Sequence, residues 1–202
     1  IVNKELLNFF NQHNLLNPNN SGFKEGDSTT NQLLNITNKI QAGFEKKMYS
    51  AMVFLDVKSA FDRVWHEGLI FKLKCLGVSG KLLLWFVDYL RNRTQRVVIK
   101  GVSSSFRSIS AGVPQGSILG PLLFKISINE FGYNLLSDSF LFADDTSLLK
   151  CFYPSNIDNA IALINDDLLK IEAWAQSWRI TFNMAKTVFM IFSPTGITFD
   201  NK

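Results

Sequence analysis

Apolar residues recur along the chain with two periods, and the period changes from segment to segment. In residues 1–13, Val2, Leu6, Leu7, Phe9 and Phe10 fall at helical spacing; Pro18, Asn19, Asn20, Ser21 and Gly22 then break the pattern. That predicts a helix running into a loop. Ser28 or Thr29 can cap a second helix, which carries Leu33, Leu34, Ile36 and Ile40 and ends at Gly43. The run AMVFLDV, residues 51–57, is short, apolar and rich in strand formers, which predicts a buried strand ending at Asp56. Leu69, Ile70, Leu73 and Leu76 mark an amphipathic helix closed by Gly77, and KLLLWFVDYL starts another that ends near Arg91.

RVVIKGVSSSFRSI places Lys100 and Gly101 at a turn between two extended segments, a hairpin signal. After GVPQGS, residues 118–131 have helical character, with Pro121 tolerated in a first turn. SFLFADDTSLL alternates in the manner of strand, tip, strand, with Asp144 and Asp145 at the hairpin tip. Residues 157–178 carry long helical periodicity. RITFN and TVFMIF then predict two short strands separated by Met184, Ala185 and Lys186.

With 202 residues, no internal repeat and no linker, the chain has room for one main domain. It is 47% hydrophobic and 19% charged, which describes a globular protein rather than a disordered one, and its 18 Phe suit a Phe-rich core. The net charge of +4 is compatible with a polyanionic partner without requiring one. Cys75 and Cys151 lack the spacing of a zinc site or a disulfide framework, so a reducing compartment fits best. No apolar run reaches the ~20 residues of a membrane span. The start, IVNKELLNFF, has neither an initiator Met nor the plan of a signal peptide, so a fragment of a longer protein is expected.

An Asp ending one buried strand and an Asp pair at a hairpin tip elsewhere can gather carboxylates around divalent metal. Oxygen-rich sites of this kind suit Mg²⁺, which takes one or two carboxylates and completes its shell with water and substrate phosphates. Two such ions can activate an attacking hydroxyl and neutralise the leaving oxygen of an in-line phosphoryl displacement. Taken singly, Asp56 can equally cap the segment that follows it, and Asp144 with Asp145 can be a solvated turn.

The motifs taken in order resemble those of reverse transcriptases. FLDVKSAFD with RVWHEGL resembles motif A, AGVPQGSILGPLLF motif B, FADDTSLL motif C, and WRITFNMAKTVFMIF motif D. NNSGFKEGDSTTNQLL is similar to the segment that precedes motif A in non-LTR (LINE-type) enzymes, and the FADD form of motif C points to jockey-like lineages. The resemblance implies an α+β fold: a right-hand polymerase palm, an antiparallel sheet packed against helices, with partial fingers and no thumb. Over residues 1–202 it places fingers-side helices in 1–50 and the palm in 51–202, with an inserted helical and hairpin segment at 66–110.

Carried over residue by residue, the resemblance makes Asp56 and Asp144 the main metal carboxylates, Asp145 their support and the backbone carbonyl of Val57 a further ligand, for two Mg²⁺ ions or Mn²⁺ in their place. Phe61 matches the steric gate that excludes a ribose 2′-hydroxyl, Ala60 would set its N–H near the sugar 3′-hydroxyl, and Gln115 and Gly116 would contact the incoming nucleotide and position the template base. Lys186 matches a lysine that protonates the pyrophosphate leaving group. Each has a plainer reading: Phe61 as core, Gly116 as a turn glycine, Lys186 as a solvated lysine. His66 and Asp62 read as structural residues.

Lys24, Lys46, Lys47, Arg91, Arg93, Arg96 and Lys100 can line a nucleic-acid path, or be scattered surface cations. A viral RNA-directed RNA polymerase would usually carry an Asp where this chain has Phe61, which argues for DNA synthesis. Lys125 and Ser127 depart from the apolar residues usual in relatives, Asn20 stands where Gln is often found, and fingers, thumb and endonuclease segments are expected in the parent polyprotein outside this chain. The expected partners are an RNA template, a DNA primer and deoxynucleotides, with no membrane. The expected setting is intracellular, and nuclear for the parent element. The alternative is a catalytically dead relic, or a domesticated module that binds nucleic acid or protein.

Overall fold

Along the residues that the computed structural model describes, 1–194 and 196–198, the elements follow in the order α1 (Val2–Gln12), α2 (Thr29–Glu45), β1 (Tyr49–Asp56), α3 (His66–Cys75), α4 (Gly80–Leu90), β2 (Thr94–Gln95), β3 (Val98–Ile99), β4 (Val102–Ser103), β5 (Arg107–Ser108), α5 (Gly120–Ser127), β6 (Asp138–Phe142), β7 (Asp145–Phe152), α6 (Ile157–Trp178), β8 (Val188–Ser193) and β9 (Gly196–Thr198). They form two compact units, Ile1–Leu15 with Ser59–Ser127, and Leu16–Lys58 with Ile128–Lys202. The expected palm range of 51–202 runs past the described residues at 195 and 199–202.

The first unit is mostly helical. Leu6 and Phe10 of α1, Leu69 and Leu73 of α3, Phe86 and Leu90 of α4, and Leu123 and Ile126 of α5 are among its buried side chains, so the periodicity read from the sequence is the periodicity of burial. The expected hairpin forms as two short ladders, Thr94↔Ser108 with Gln95↔Arg107 and Val98↔Ser103 with Ile99↔Val102. Lys100 and Gly101 turn it, with φ of 48° and 81°. The helix expected over 118–131 is shorter. It stops at Ser127, whose carbonyl accepts the Lys72 ammonium at 2.6 Å, a cation at a helix C-terminus.

The second unit is built on a five-stranded antiparallel sheet in the order β6-β7-β1-β8-β9. Central strand β1 has Met52 in a cluster with Ile40 of α2, Phe140 and Leu149, while Ala51, Val53 and Leu55 on its other face are buried too. A strand covered on both faces reads as a continuous apolar run, as AMVFLDV does. Beyond residue 127 the carbonyls of Asn129 and Phe131 accept the Asn17 side-chain amide at 3.1 and 2.8 Å, so they are not free to continue a helix. RITFN does not form the expected strand. Arg179 takes a left-handed conformation at the end of α6, and the Asn183 carbonyl accepts the amides of Lys186 and Thr187, so only Phe182 bridges to Val57. α6 and β8 form where the sequence placed them. No helix among the described residues is long and apolar enough to cross a membrane.

Candidate active site

The acids at the end of β1 and the start of β7 are brought together by strand register. Asp56 lies directly opposite Asp145, and Phe142 of β6 pairs with the same Asp145, which leaves Ala143 and Asp144 as a two-residue turn. Both motif C acids were expected at the tip; the structure puts Asp144 in the turn and Asp145 in the ladder. Opposed residues of an antiparallel pair project to the same face, so the Asp56 and Asp145 carboxylates share one side of the sheet.

The turn is held from behind by the segment NNSG. Asn20 forms a parallel bridge to Leu141; the Ser21 amide donates to the Leu141 carbonyl at 2.9 Å and the Leu141 amide to the Asn19 carbonyl at 3.0 Å. Ser21 Oγ donates to Gln32 Oε1 at 2.8 Å, fixing the segment to α2. A Cβ on Gly22 would collide with the Ala143 amide nitrogen and stand 2.8 Å from its Cα, so only glycine lets the backbone back the Ala143–Asp144 turn this closely. The sequence reading gave this segment no part in the site. Its signal was there in the Ser-Gly pair, but a glycine that packs and a glycine that turns look alike in sequence.

Val57 follows Asp56 in a bridge to Phe182, flanked by hydrogen bonds from the Asn183 amide to the Asp56 carbonyl and from the Lys58 amide to the Thr181 carbonyl, both 2.8 Å. Backbone groups alternate sides along a strand, so the Val57 carbonyl points to the opposite edge, the one along which β7 runs to Asp145. Lys186 Nζ lies 3.6 Å from Asp56 Oδ1. Asp145 is exposed, yet partial desolvation, then the Asp144 and Asp56 carboxylates, push its carboxyl above the usual range. A cavity of about 500 Å³ is lined by Leu33 and Ile36 of α2, by Phe54 and Phe140, and by Asp56, Asp145 and Lys186.

Among the described residues no three His, Cys, Asp or Glu side chains converge closely enough to enclose a metal ion by themselves. The donor set is all oxygen, carries uncompensated negative charge at Asp145, and fits an ion that takes one or two carboxylates and brings the rest of its shell as water and phosphate. It does not suit a dedicated protein cage.

The remaining candidates lie in the first unit. Ala60 is buried and opens the short 3₁₀ turn Phe61–Arg63; the Phe61 ring stacks on Phe124 of α5 at 4.8 Å and 22°. The Phe61 carbonyl accepts the Val113 amide at 2.8 Å, and Gln115 Nε2 donates to Asp62 Oδ1 at 3.0 Å. Phe61 and the Gln115 loop are therefore fixed to each other through backbone and side chain. Gly116 is an exposed turn residue with φ of 80°. His66 Nε2 donates to the Gly112 carbonyl at 2.7 Å, the structural role read for it, and Asp62 serves as the anchor of Gln115. Of the two departures noted in α5, Lys125 is buried, and Ser127 Oγ donates to the Phe124 carbonyl at 2.7 Å.

The reverse transcriptase (RNA-dependent DNA polymerase) family matches residues 1–199. The chain belongs to the reverse transcriptase family. Among curated relatives of this reverse transcriptase, the probable RNA-directed DNA polymerase from transposon BS of Drosophila melanogaster is 33% identical over 202 residues, which covers 96% of this chain and 22% of that protein. The RNA-directed DNA polymerase from mobile element jockey of the same fly is 33% identical over 180 residues, 85% of this chain and 19% of that protein. The relatives are non-LTR polymerases, as the FADD motif implied, and the chain spans about a fifth of the length of those it matches. Among solved structures, apo telomerase from Candida tropicalis truncated from its C-terminal domain superposes with a TM-score of 0.65 at 15% identity, covering 98% of this chain and 45% of that one. Telomerase from the same organism, in complex with a TWJ fragment of telomeric RNA, gives 0.64 at 15% identity over 96% of this chain and 34% of that one. The likeness shows a reverse-transcriptase-like fold, with mixed helices and an antiparallel sheet.

Proposed function

We propose that this chain is the palm, with part of the fingers, of an RNA-directed DNA polymerase that copies the RNA of a non-LTR retrotransposon by adding deoxynucleotides to a primer 3′-hydroxyl at its nuclear target. The observation that carries the reading is the register that opposes Asp56 to Asp145 with Asp144 in the adjoining turn. In the reaction the primer 3′-oxygen bonds to the α-phosphorus, the α–β phosphoanhydride breaks, pyrophosphate leaves and the hydroxyl proton passes to solvent. Two Mg²⁺ ions, when bound, supply activation of the hydroxyl and neutralisation of the leaving group. Asp56, Asp144, Asp145 and the Val57 carbonyl would hold them. Lys186 donates a proton to the departing pyrophosphate from its place beside Asp56. Phe61, stiffened by its stack on Phe124, stands against a 2′-hydroxyl, and Gln115, braced by Asp62, positions the template base.

The test is primer extension on an RNA template with Mg²⁺ and deoxynucleotides, by the parent protein and its Asp144→Ala and Asp56→Ala variants. Template-dependent extension that both variants abolish supports the reading. A folded parent protein that extends nothing would instead make this copy a nucleic-acid-binding relic.

A further inference from the structure

The ribbon between α4 and motif B forms its own two short ladders, and every residue from 91 to 108 is exposed. It nonetheless carries Val97, Val98, Ile99, Val102 and Phe106, each more than half exposed, with Phe106 at 64%. A monomer gains nothing by presenting that much apolar surface to water, so such a patch marks a place of contact. The same stretch carries Arg91, Arg93, Arg96, Lys100 and Arg107, and no acid occurs between Asp88 and Glu130. Apolar surface along a run of five cations calls for a polyanion with apolar faces.

Two further observations narrow the partner. The Arg96 guanidinium lies over the Phe106 ring at 5.0 Å, a cation and an aromatic face forming one platform on the outside of the protein. At the foot of the ribbon is a cleft of about 730 Å³ lined by Arg93, Thr94, Gln95 and Ser108 together with Asp62 and Gln115. Its walls thus offer donors and acceptors suited to a base edge, beside the glutamine to which the family resemblance gives the template base. A lipid surface has no use for such a cleft. A protein partner would not require a stretch free of acids.

We propose that the ribbon and the cleft at its foot grip single-stranded RNA, with one base stacked on the Phe106–Arg96 platform, a neighbouring base in the cleft, and phosphates neutralised by Arg93, Lys100 and Arg107. Stacking on an exposed aromatic along a basic track is how unpaired strands are held without sequence preference. The inference rests on the polymerase reading in one respect, that the strand is template.

Fluorescence anisotropy of a labelled unstructured oligouridine, titrated with the 202-residue chain at several salt concentrations, tests it. A variant with Arg93→Gln, Lys100→Gln and Arg107→Gln should lower the slope of log K against log salt by about two, since each phosphate contact on a single strand contributes ~0.7. Phe106→Ala should weaken binding about tenfold at every salt concentration with the slope unchanged, and Phe106→Trp should restore it. All these side chains are exposed, and an unchanged melting temperature confirms that each variant folds. Unaltered RNA affinity and slope overturn the proposal, as does self-association of the chain that Phe106→Ala abolishes while RNA binding stays the same. Primer extension by the parent protein, run in parallel, separates the two readings. Extension with ribbon-independent RNA binding sinks only the ribbon, whereas ribbon-dependent binding without extension sinks only the polymerase.

Discussion

Asp167→Ala removes a carboxylate that holds the entrance to the motif C hairpin. Asp167 lies within α6 with no exposed side-chain surface, and its two oxygens accept the Leu136 amide at 2.9 and 3.1 Å and the Ser137 amide at 2.8 Å, immediately before β6. Desolvation works against its charge, but the Leu136 amide, then the Ser137 side chain and amide, and the Lys170 ammonium at 3.5 Å outweigh it and hold the carboxyl below its usual range. In the alanine variant two backbone donors lose a charged acceptor. At roughly 1–3 kcal/mol each, with water reaching the more open Leu136 amide, the cost is about 3 kcal/mol. For a chain of this size that lowers the melting temperature by about 10 °C. Asp167→Asn should cost less, because one oxygen still accepts while the new amide faces a donor. The acid limb separates this account from simple loss of packing. A carboxylate with a lowered folded pKa contributes stability that is present above its unfolded value of 3.8 and lost as pH falls through the folded value. The native chain should therefore lose more stability than Asp167→Asn over that range in pH-dependent thermal melts. A variant that melts within about 1 °C of the native chain would refute the reasoning.

The Asp145 carboxyl has the opposite sign: with its folded value raised, stability falls as pH climbs through the window above 3.8, and the penalty is fully present at neutral pH. Asp145→Asn should accordingly melt higher than the native chain at pH 7 and equal to it in acid, and added Mg²⁺ should raise the melting temperature of the native chain more than that of the variant. Gly22→Ala should abolish primer extension by the parent protein while leaving it folded by circular dichroism, because the displaced element is the turn carrying Asp144. Phe61→Ala should reduce discrimination against ribonucleotides by at least about tenfold, read as the ratio of kcat/KM for deoxy and ribo substrates in primer extension. Equal discrimination would return Phe61 to a packing role.

Wherever burial alone shapes an element, the sequence states it. The long stripe of α6, the Ser28 cap accepting the Asn31 amide at 3.1 Å, and the two-sided burial of β1 are all visible as spacing or composition. What pairs distant segments is less visible. RITFN has strand composition, but its neighbours are committed to a turn at Asn183, and the helix after motif B is cut short by Lys72 and Asn17, residues far away in sequence. The acids themselves were legible, and their division was not: which of Asp144 and Asp145 stands in the ladder depends on a register that two adjacent acids cannot announce. Asp167 was hidden for a related reason. A mid-helix aspartate is ordinarily solvated, and only the amides that arrive from residues 136 and 137 make it structural.

The central place of β1 also sets the order in which the protein can assemble. Leu55 and Thr146 touch at a sequence separation of 91, and the Asn17 anchor reaches Asn129 at a separation of 112. Loop closure on that scale is slow compared with the formation of local helices. On a ribosome, β1 emerges with its apolar run unpaired and must wait for β7 and β8 to be synthesised. The carboxylates of Asp56 and Asp145 therefore meet late, and a chain interrupted before β7 would hold Asp56 on an exposed, aggregation-prone strand with nothing to oppose it.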